Sequence, residues 1–273
     1  MKPAVARILL TGATGGIGRE AAGAFLRAGA RLMLTGRSPQ SLAALARELR
    51  DRHGLAEQDL PWVVADLREP RELERLAEHA AGWQCNVLVH AAGAPAFGAL
   101  HAIDAATMAA VMQTNLIAPM QLTRAMLPSL RRQPGAQVLF VGSVLGAIGL
   151  PGYSVYSASK FGLRGFAEAL RRELADTEVK VQYLGPRSTQ TAFNGADVQA
   201  YNQATGTAMD SAASVAAALL RMLEDEEAER FLGFPERLGV RLNGLVPTAM
   251  DGSFRRHGRS LATLATLPER TGS

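Results

Sequence analysis

Short apolar runs alternate with longer helix-like segments along most of this chain, and that alternation constrains the fold more than any other feature. The apolar runs predict strands at residues 6–10, 31–35, 62–65, 86–89, 137–141 and 179–184. The segments between them predict helices near residues 16–29, 38–53, 70–81, 104–132, 153–176 and 210–226. Such alternation is typical of a parallel sheet with helices on both faces. With a seventh strand near residues 230–234, we predict a doubly wound α/β sheet of strand order 3-2-1-4-5-6-7.

A glycine-rich segment directly follows the first predicted strand. Residues 11–18 read Thr-Gly-Ala-Thr-Gly-Gly-Ile-Gly and lead into the first predicted helix. Glycines allow a sharp turn close to a pyrophosphate, whose charge is met by free amide groups and the positive end of the helix dipole. The segment could also be only a tight turn. Its place after the first strand favours a Rossmann-type dinucleotide site that includes Gly12, Thr14, Gly15, Gly16, Ile17 and Gly18.

Tyr156 and Lys160 stand four residues apart in the run Tyr-Ser-Ala-Ser-Lys. Four residues are about one helical turn, so both side chains share a face of a predicted helix. The pKa of a phenol is normally about 10, and an adjacent ammonium group favours the phenolate, which allows proton transfer closer to neutral pH. The pair is typical of carbonyl chemistry, although the same spacing also occurs by chance on solvated helices.

Three further motifs stand at fixed places around this pair. The run His90-Ala91-Ala92-Gly93 follows the fourth predicted strand, Asn115 lies in a predicted helix, and Ser143 stands thirteen residues before Tyr156. Together with the glycine-rich segment, these motifs resemble those of the short-chain dehydrogenase/reductase family over residues 6 to about 235. The glycine spacing also fits the extended branch of that family, but the chain length and the Ala-Ala-Gly motif favour the single-domain branch.

The resemblance implies that Asn115, Ser143, Tyr156 and Lys160 are catalytic. Tyr156 would give a proton to a carbonyl oxygen while the nicotinamide delivers hydride to the carbon, and Ser143 would hydrogen-bond the same oxygen. Lys160 would lower the pKa of Tyr156 and bind the nicotinamide ribose hydroxyls. Asn115 would hold a water molecule that passes protons to Lys160. On the residues alone, Ser143 could be a strand-end cap and Asn115 a helix-bending residue.

The end of the second predicted strand indicates which dinucleotide binds. Enzymes that use NAD usually place a carboxylate there for the ribose 2′-hydroxyl, but this chain has Thr35-Gly36-Arg37-Ser38. Arg37 and Ser38 could bind a 2′-phosphate, so we predict NADP(H); Arg37 could also be a surface charge that opens the next helix. Asp66 resembles the family's aspartate near the adenine, or caps the following helix. The other predicted cofactor residues are Leu67, Ala91, Ala92, Gly93, Asn115, Tyr156, Lys160, Pro186, Thr189 and Thr191.

Two residues depart from the family pattern. His90 stands where the family usually has Asn, and it could brace the central strand differently. Arg187 replaces the glycine of the usual Pro-Gly after the sixth strand, where it could orient an acidic substrate group, close a loop or form a plain salt bridge. No metal site is expected at a lone His. The only cysteine, Cys85, cannot form an internal disulfide and is expected to be an inert buried thiol.

The substrate region follows Ser143. Its apolar residues predict an apolar substrate, although they could only pack under a loop; they are Val144, Leu145, Ala147, Ile148 and Leu150. The predicted substrate residues are Ser143, Leu145, Tyr153, Tyr156 and Arg187. We therefore predict an NADPH-dependent reductase of a carbonyl group, or the reverse secondary-alcohol dehydrogenase. The alternative is a non-catalytic NADP(H)-binding sensor or scaffold, which would need only the glycine-rich segment and Arg37.

Length and composition fit a single domain at residues 1–248. Hydrophobic residues make up 48% of the 273 residues, charged residues make up 20%, and no Pro/Gly/Ser-rich linker divides the chain. The polar segment 187–210 is predicted to be a long loop, either a substrate lid or a mobile surface connection. The tail at 249–273 has no periodic core pattern, so we expect it to be solvated or disordered.

Charge and apolar patterning also bear on partners and location. A net charge of +4, without a basic run, does not indicate a nucleic-acid partner. The N-terminus runs straight into the first strand and leaves no room for a signal peptide, so we expect a cytoplasmic protein. An apolar stripe at helical spacing, with two arginines nearby, could lie on a membrane, but we expect it to pack over the substrate pocket; it comprises Leu238, Leu242, Leu245 and Val246. The resemblance implies a homodimer through helices 104–132 and 153–176, where small residues permit close approach.

Overall fold

Seven parallel strands form the central sheet, and six of them lie at the short apolar runs that predict strands in the sequence. The computed structural model describes residues 1–265. In chain order the strands are β1 Arg7–Thr11, β2 Arg31–Gly36, β3 Trp62–Val64, β4 Val87–His90, β5 Gln137–Val141, β6 Lys180–Gly185, β7 Ser188–Gln190, β8 Met209–Ser211 and β9 Glu229–Phe231. The main sheet has the order β3-β2-β1-β4-β5-β6-β9, and all its pairs are parallel. The predicted fold class and strand order are confirmed, with β9 as the seventh strand.

Helices connect the strands and begin at residues that favour helix starts. They are α1 Gly16–Arg27, α2 Pro39–His53, α3 Pro70–Gly82, α4 Ala105–Met112, α5 Ala118–Leu130, α6 Ser154–Glu173, α7 Ala196–Thr205, α8 Ala212–Asp225, α9 Glu236–Leu245 and α10 Arg255–Ala265. Side chains of Ser38, Asp104 and Ser211 cap α2, α4 and α8 by accepting from a backbone N–H in the first turn. A π-helical turn at Gln113–Ile117 joins α4 to α5, so the predicted helix at 104–132 is one helical rod with a bulge.

The core lies in two layers, one on each face of the sheet. Strand side chains alternate between the layers: Leu9 packs with the layer of α3, α5 and α6, whereas Ile8 and Leu10 pack with the layer of α1, α2 and α8. Most of these strand residues are fully buried on both faces, as expected for a parallel sheet between two helical layers. This arrangement brings the carboxyl ends of the strands, and the loops after them, to one edge.

Two segments differ from the sequence predictions. Residues 187–210 are not a structureless loop, because β7 and β8 pair in parallel and α7 lies between them. The predicted solvated or disordered tail contains a 3₁₀ helix at Pro247–Phe254 and then α10, which packs against α7. The 3₁₀ helix carries little apolar periodicity, and α10 begins with the charged run Arg255-Arg256-His257, so neither segment resembles a core helix in the sequence. Residues 266–273 of the tail lie outside the described residues.

Candidate active site

The glycine-rich turn after β1 is held by close backbone packing. Gly12 has φ +64°, and a Cβ atom there would lie 2.6 Å from the backbone of Ala92. A Cβ atom on Gly18 would overlap the carbonyl oxygen of Gly12. These positions therefore require glycine, and the turn places the start of α1, with its free amide groups, at the edge of the sheet. That is the geometry that binds a pyrophosphate.

A cleft of about 500 Å³ runs along this edge of the sheet, from the glycine turn to α6. Nearly all the predicted cofactor and substrate residues line it: Gly12, Thr14, Gly15, Gly16, Ile17, Gly18, Arg37, Asp66, Leu67, Ala91, Ala92, Gly93, Ser143, Leu145, Tyr153, Tyr156, Lys160, Pro186, Arg187, Thr189 and Thr191. A Cβ atom on Gly16 would overlap the side chain of Thr191, so the segment after β7 lies across the glycine turn. The chain thus brings together residues that stand up to 179 positions apart in the sequence.

Ser38 does not share this arrangement. Its hydroxyl accepts a hydrogen bond from the Ser41 N–H (3.1 Å) and donates to Gln40 Oε1 (3.3 Å). Ser38, rather than Arg37, therefore caps α2, and its predicted hydrogen bond to a phosphate would replace its donation to Gln40 while leaving the cap in place. Arg37 is exposed beside the cleft and forms no ion pair with another described residue.

Asp66 is not a helix cap, because α3 begins after Glu69. Arg68 Nη2 lies 2.7 Å from Asp66 Oδ2, and Arg68 also donates to Asp66 through Nε and its backbone N–H. These hydrogen bonds from Arg68 hold the pKa of Asp66 below its usual value. Asp66 and Arg68 both line the end of the cleft that contains Arg37, as the predicted adenine contact requires.

Ser143, Tyr156 and Lys160 meet at the other end of the cleft. Ser143 follows β5, and its Oγ accepts from the Leu145 N–H at 3.0 Å; Tyr183 braces the same residue by donating its hydroxyl to the Ser143 carbonyl at 3.0 Å. Burial raises the pKa of the Tyr156 phenol, and a hydrogen bond with Ser143 opposes that rise. Tyr156 thus holds its proton at neutral pH.

Lys160 is buried beside Tyr156. Its ammonium group donates to the Val141 carbonyl at 3.1 Å and lies 5.7 Å from the centroid of the Tyr156 ring. Burial lowers the pKa of Lys160 to about 8. The expected lowering of the Tyr156 pKa by Lys160 is not seen, since burial of the phenol dominates and raises that pKa.

Asn115 stands in the π-helical turn and connects three segments. Its Oδ1 accepts from the Ala94 N–H at 2.7 Å, and its Nδ2 donates to the Ala94 carbonyl at 3.0 Å and to Ser159 Oγ at 3.1 Å. The bulge gives this residue a position that a regular helix would not provide. Asn115 therefore lies where the helix departs from α geometry, as one of its two interpretations expects. Its role in holding a water molecule for Lys160 stays a prediction.

Sequence and structural comparisons identify the family. The profile described as short chain dehydrogenase matches residues 6–202. The chain belongs to the short-chain dehydrogenase/reductase family. Members are oxidoreductases that bind a nicotinamide cofactor and act on CH–OH or C=O groups, which fits the geometry of the cleft.

Individual relatives agree with this assignment. Dehydrogenase/reductase SDR family member 7B from Xenopus tropicalis is 31% identical over 88% of this chain and 82% of its own length. The Bos taurus protein of the same name is 35% identical, and the match covers 66% of this chain and 56% of that protein. An NADP-dependent 3-hydroxy acid dehydrogenase from Schizosaccharomyces pombe is 33% identical over 68% of this chain and 73% of its own length.

Solved structures share the fold. The short-chain dehydrogenase from Sphingobium yanoikuyae, in complex with NADPH, has a TM-score of 0.77 over 98% of this chain and 99% of its own at 24% identity. A variant of the actinorhodin polyketide ketoreductase, solved with NADPH, has a TM-score of 0.75 over 87% of this chain and 98% of its own at 26% identity.

His90, at the family's usual Asn position, packs inside the protein rather than in the cleft. Its Nε2 lies 2.9 Å from Thr123 Oγ1, and its ring stacks on Phe140 with a centroid distance of 4.9 Å. The ring thus braces β4 against α5 and β5. No group of His, Cys, Asp and Glu residues suited to a metal occurs among the residues that the structure describes.

Replacing His90 by Asn should flatten the pH dependence of stability. Burial lowers the pKa of His90 from 6.5 to about 3, so between these values the unfolded chain binds a proton that the folded chain does not. The free energy of unfolding should therefore fall as pH drops from 6.5, by up to about 1.4 kcal/mol per pH unit from this group. Urea unfolding at pH 7 and pH 5 measures the slope in wild type and His90→Asn. Equal slopes in wild type and in His90→Asn would show that the pKa of His90 in the folded protein is close to its ordinary value.

Arg187 forms the salt bridge that was one of its predicted alternatives. Its Nη2 lies 2.6 Å from Asp210 Oδ1 and its Nη1 lies 3.5 Å from Glu236 Oε2, and a Cβ atom on Gly233 would overlap its side chain. Two carboxylates already neutralise this guanidinium group, so it is poorly suited to orient an acidic substrate. Instead, Arg187 ties β8 and α9 to the end of β6.

The substrate end of the cleft contains more aromatic residues than the sequence motifs indicate. Phe97 packs on Tyr153 with ring centroids 4.9 Å apart, and Phe193 packs on Tyr156 at 6.1 Å. Phe97 and Phe193 line the cleft, as do Arg68, Val198 and Asn202, and none of these five was among the predicted site residues. They lie on loops or on α7, where no sequence motif marks them, so only the folded structure identifies them.

Proposed function

We propose that this chain is an NADP(H)-dependent reductase of a carbonyl group on an apolar, uncharged substrate, or the reverse secondary-alcohol dehydrogenase. The observation that carries the proposal is that Ser143 and Lys160, which are buried, and Tyr156, which is partly buried, line the same cleft as the glycine turn. The yeast relative is named for NADP dependence, and the related ketoreductase was solved with NADPH.

NADP(H) is favoured by the charges at the end of β2. Arg37 is exposed there without an ion pair to another described residue, and no carboxylate follows the strand. A guanidinium group in this position suits a 2′-phosphate, whereas the ribose hydroxyl of NAD is usually met by a carboxylate. The glycine turn and the first amides of α1 would hold the pyrophosphate. Lys160 would bind the hydroxyls of the nicotinamide ribose.

Each residue around the substrate carbonyl group has its own role in the proposed reaction. Bound NADPH supplies the hydride for the carbonyl carbon. Tyr156 donates the phenolic proton to the carbonyl oxygen, so that a secondary alcohol forms, and Ser143 donates a hydrogen bond to the same oxygen. Lys160, with a pKa of about 8, is largely protonated at neutral pH. Burial outweighs its effect on the resting phenol, but after proton transfer the ammonium charge would stabilise the phenolate. The proton is then restored from solvent.

An uncharged, apolar substrate suits the lining of the cleft. Leu145, Leu150, Phe97 and Phe193 supply apolar surface beside Tyr156. Arg187 also lines the cleft, but two carboxylates already hold its guanidinium group, so its charge does not favour an acidic substrate. This separates the proposed substrate from the 3-hydroxy acid named for the yeast relative.

The experiment that tests the proposal is a screen of aromatic and aliphatic ketones with NADPH, and of the matching secondary alcohols with NADP⁺, read by absorbance of the nicotinamide. Turnover of neutral apolar ketones, and little turnover of keto acids of the same skeleton, is the expected result. If the pure protein binds NADPH and turns over no carbonyl compound, the alternative of a non-catalytic NADP(H)-binding sensor or scaffold is correct.

Arg37→Asp should weaken NADPH binding by roughly ten- to a hundredfold, because a charge-assisted pair is lost and a repulsion is added. The affinity for NADH should stay unchanged or increase. Calorimetric titration of both cofactors measures the change, and Arg31→Asp, an exposed arginine at the opposite end of β2, is the matched control. Equal losses for the two cofactors would show that Arg37 has only a structural role.

Pairing of two copies through α5 and α6 also stays a proposal. Exposed apolar side chains support it, with Met120 39% and Phe161 42% exposed, and Ala158 and Gly165 are exposed on the same helix as Phe161. Gly162, which the sequence suggests for this contact, instead packs against Leu116 of its own chain.

Light scattering should therefore report a homodimer, and Phe161→Glu should convert it to a monomer because a charge is placed in an apolar contact. Val5→Glu changes an exposed apolar residue that lies outside both helices, so it should leave the dimer intact. A wild-type monomer would rule out pairing through these helices, and a tetramer would show that copies also meet through a second surface.

A further inference from the structure

A group of large apolar side chains is exposed on and beside α9. Within residues 1–265, five of the twelve large apolar residues that are exposed fall in the thirteen positions from 234 to 246. They are Phe234 (80% exposed), Leu238 (49%), Leu242 (40%), Leu245 (79%) and Val246 (49%), and we refer to them as the α9 stripe. Such a concentration on a folded surface usually marks a contact with another molecule or a membrane.

The opposite side of α9 is fixed to the protein. Val240 is buried in the core layer of α3, α5 and α6, and Asn243 Nδ2 donates to the Ala147 carbonyl at 2.9 Å. Glu236 pairs with Arg187 at the start of the helix. These contacts fix one side of α9 against the protein. The stripe lies on the other side of the helix and therefore faces outward. The expectation that this stripe packs over the substrate pocket is therefore wrong.

Positive charge accompanies the stripe on its own helix and recurs in the segment that follows. Arg237 and Arg241 are exposed on α9, and neither forms an ion pair with another residue in the described part of the chain. Three more exposed arginines follow near the start of α10, at Arg255, Arg256 and Arg259. The acidic residues between 234 and 263 are Glu236, which pairs with Arg187, and Asp251.

We propose that the α9 stripe docks on an anionic lipid bilayer, with its apolar side chains in the interface and its arginines among the headgroups. An apolar face bordered by arginines is the composition of helices that lie in a membrane interface. A second copy of the chain suits the surface less well, because a two-fold axis through the stripe would bring the arginines of both copies together.

Docking would bring one wall of the cleft close to the bilayer. Asn243 and Val240 pack on the segment that follows Ser143, and Glu236 lines the cleft itself. An apolar carbonyl compound concentrates in a bilayer, so this position would shorten its path to Ser143. That last step rests on the proposed function, whereas docking itself does not.

Sedimentation of the full chain with vesicles tests docking without any turnover assay. Vesicles of phosphatidylcholine alone are compared with vesicles that also contain phosphatidylserine, in roughly a two-to-one ratio. Binding to the anionic vesicles is expected, with clear weakening in high salt, since screening shortens the reach of the arginine charges. No binding to the anionic vesicles would overturn the proposal.

Variants at exposed positions locate the contact. Leu242→Glu and Leu245→Glu should each weaken vesicle binding by at least about tenfold, because a carboxylate replaces an inserted apolar group. Arg237→Glu combined with Arg241→Glu should do the same through charge. Val5→Glu, whose side chain is 61% exposed outside the stripe, should bind as wild type.

Two outcomes of this series would contradict docking through the stripe. Vesicle binding that survives both leucine variants, or that Val5→Glu loses equally, would place the contact elsewhere. A change of oligomeric state in the leucine variants, seen by light scattering without vesicles, would assign the stripe to a second copy. Turnover of a water-soluble carbonyl compound should be unchanged in all these variants, so failure of the proposed function and failure of docking are separately visible.

Discussion

Tyr156→Phe should lower turnover by on the order of a hundredfold or more while NADPH binds with nearly unchanged affinity. The substitution removes only the phenolic oxygen. Burial raises the pKa of this phenol and a hydrogen bond with Ser143 opposes that rise, so Tyr156 holds at neutral pH the proton that the carbonyl oxygen would receive. Steady-state kinetics and a fluorescence titration of NADPH measure the two effects separately.

Tyr201→Phe is the matched control for that result. Its hydroxyl donates to the Pro151 carbonyl at 2.8 Å and is not part of the proposed reaction. The control should therefore change turnover by less than about tenfold. Near-normal turnover of Tyr156→Phe would contradict the role of Tyr156, and a loss of NADPH binding would mean that the variant acts through the cofactor site.

Lys160→Ala should damage both binding and catalysis. Removing the ammonium group takes away a hydrogen-bond donor for the ribose hydroxyls and the charge that favours the phenolate of Tyr156. We expect kcat/KM to fall roughly a thousandfold and NADPH affinity roughly tenfold, measured by the same two assays.

Two further variants separate charge from packing. Lys160→Met keeps most of the buried side-chain volume, so it should show the same kinetic losses without a loss of stability in urea unfolding, since burying an ammonium group is itself unfavourable. Lys180→Ala removes an exposed lysine at the start of β6 and should leave both assays unchanged. Losses for Lys160→Ala that Lys160→Met does not share would show that packing, rather than charge, explains the effect.

The central sheet could be predicted because its signals are local and strong. The apolar runs of β1 and β5 are continuous, as expected of strands buried on both faces, and Pro39 and Pro70 mark helix starts. Sequence order then determines strand order in a fold whose crossovers follow one hand. The π-helical turn at residues 113–117 could not be predicted, because its register depends on the contacts of Asn115 with Ala94 and Ser159.

The polar residues of the cleft were predictable from motifs, and its walls were not. Glycine at positions 12 and 18 is required by backbone contacts that any chain with this turn must make. Phe97 and Phe193 line the cleft from two loops, and the position of neither loop follows from a local motif. The partner of Arg187 stands 23 positions away, and no local signal distinguishes a paired arginine from a free one.

The outward orientation of α9 was equally hidden from the sequence. A stripe at helical spacing shows that one face is apolar, but whether that face turns inward depends on which other contacts the helix makes. Here Val240 and Asn243, rather than the leucines, hold it to the protein. Apolar periodicity therefore gave the right helix and the wrong buried face.

The proposed function depends on the transfer of hydride from NADPH to a carbonyl carbon in this cleft. The most direct measurement uses NADPH deuterated at the transferable position of its nicotinamide, with a neutral apolar ketone that the screen identifies, and mass spectrometry of the product. A secondary alcohol that carries the deuterium on its carbinol carbon should form with the wild-type protein. The same product should be almost absent with Tyr156→Phe. An alcohol without deuterium at that carbon, or equal labelled product from Tyr156→Phe, would contradict the proposed function.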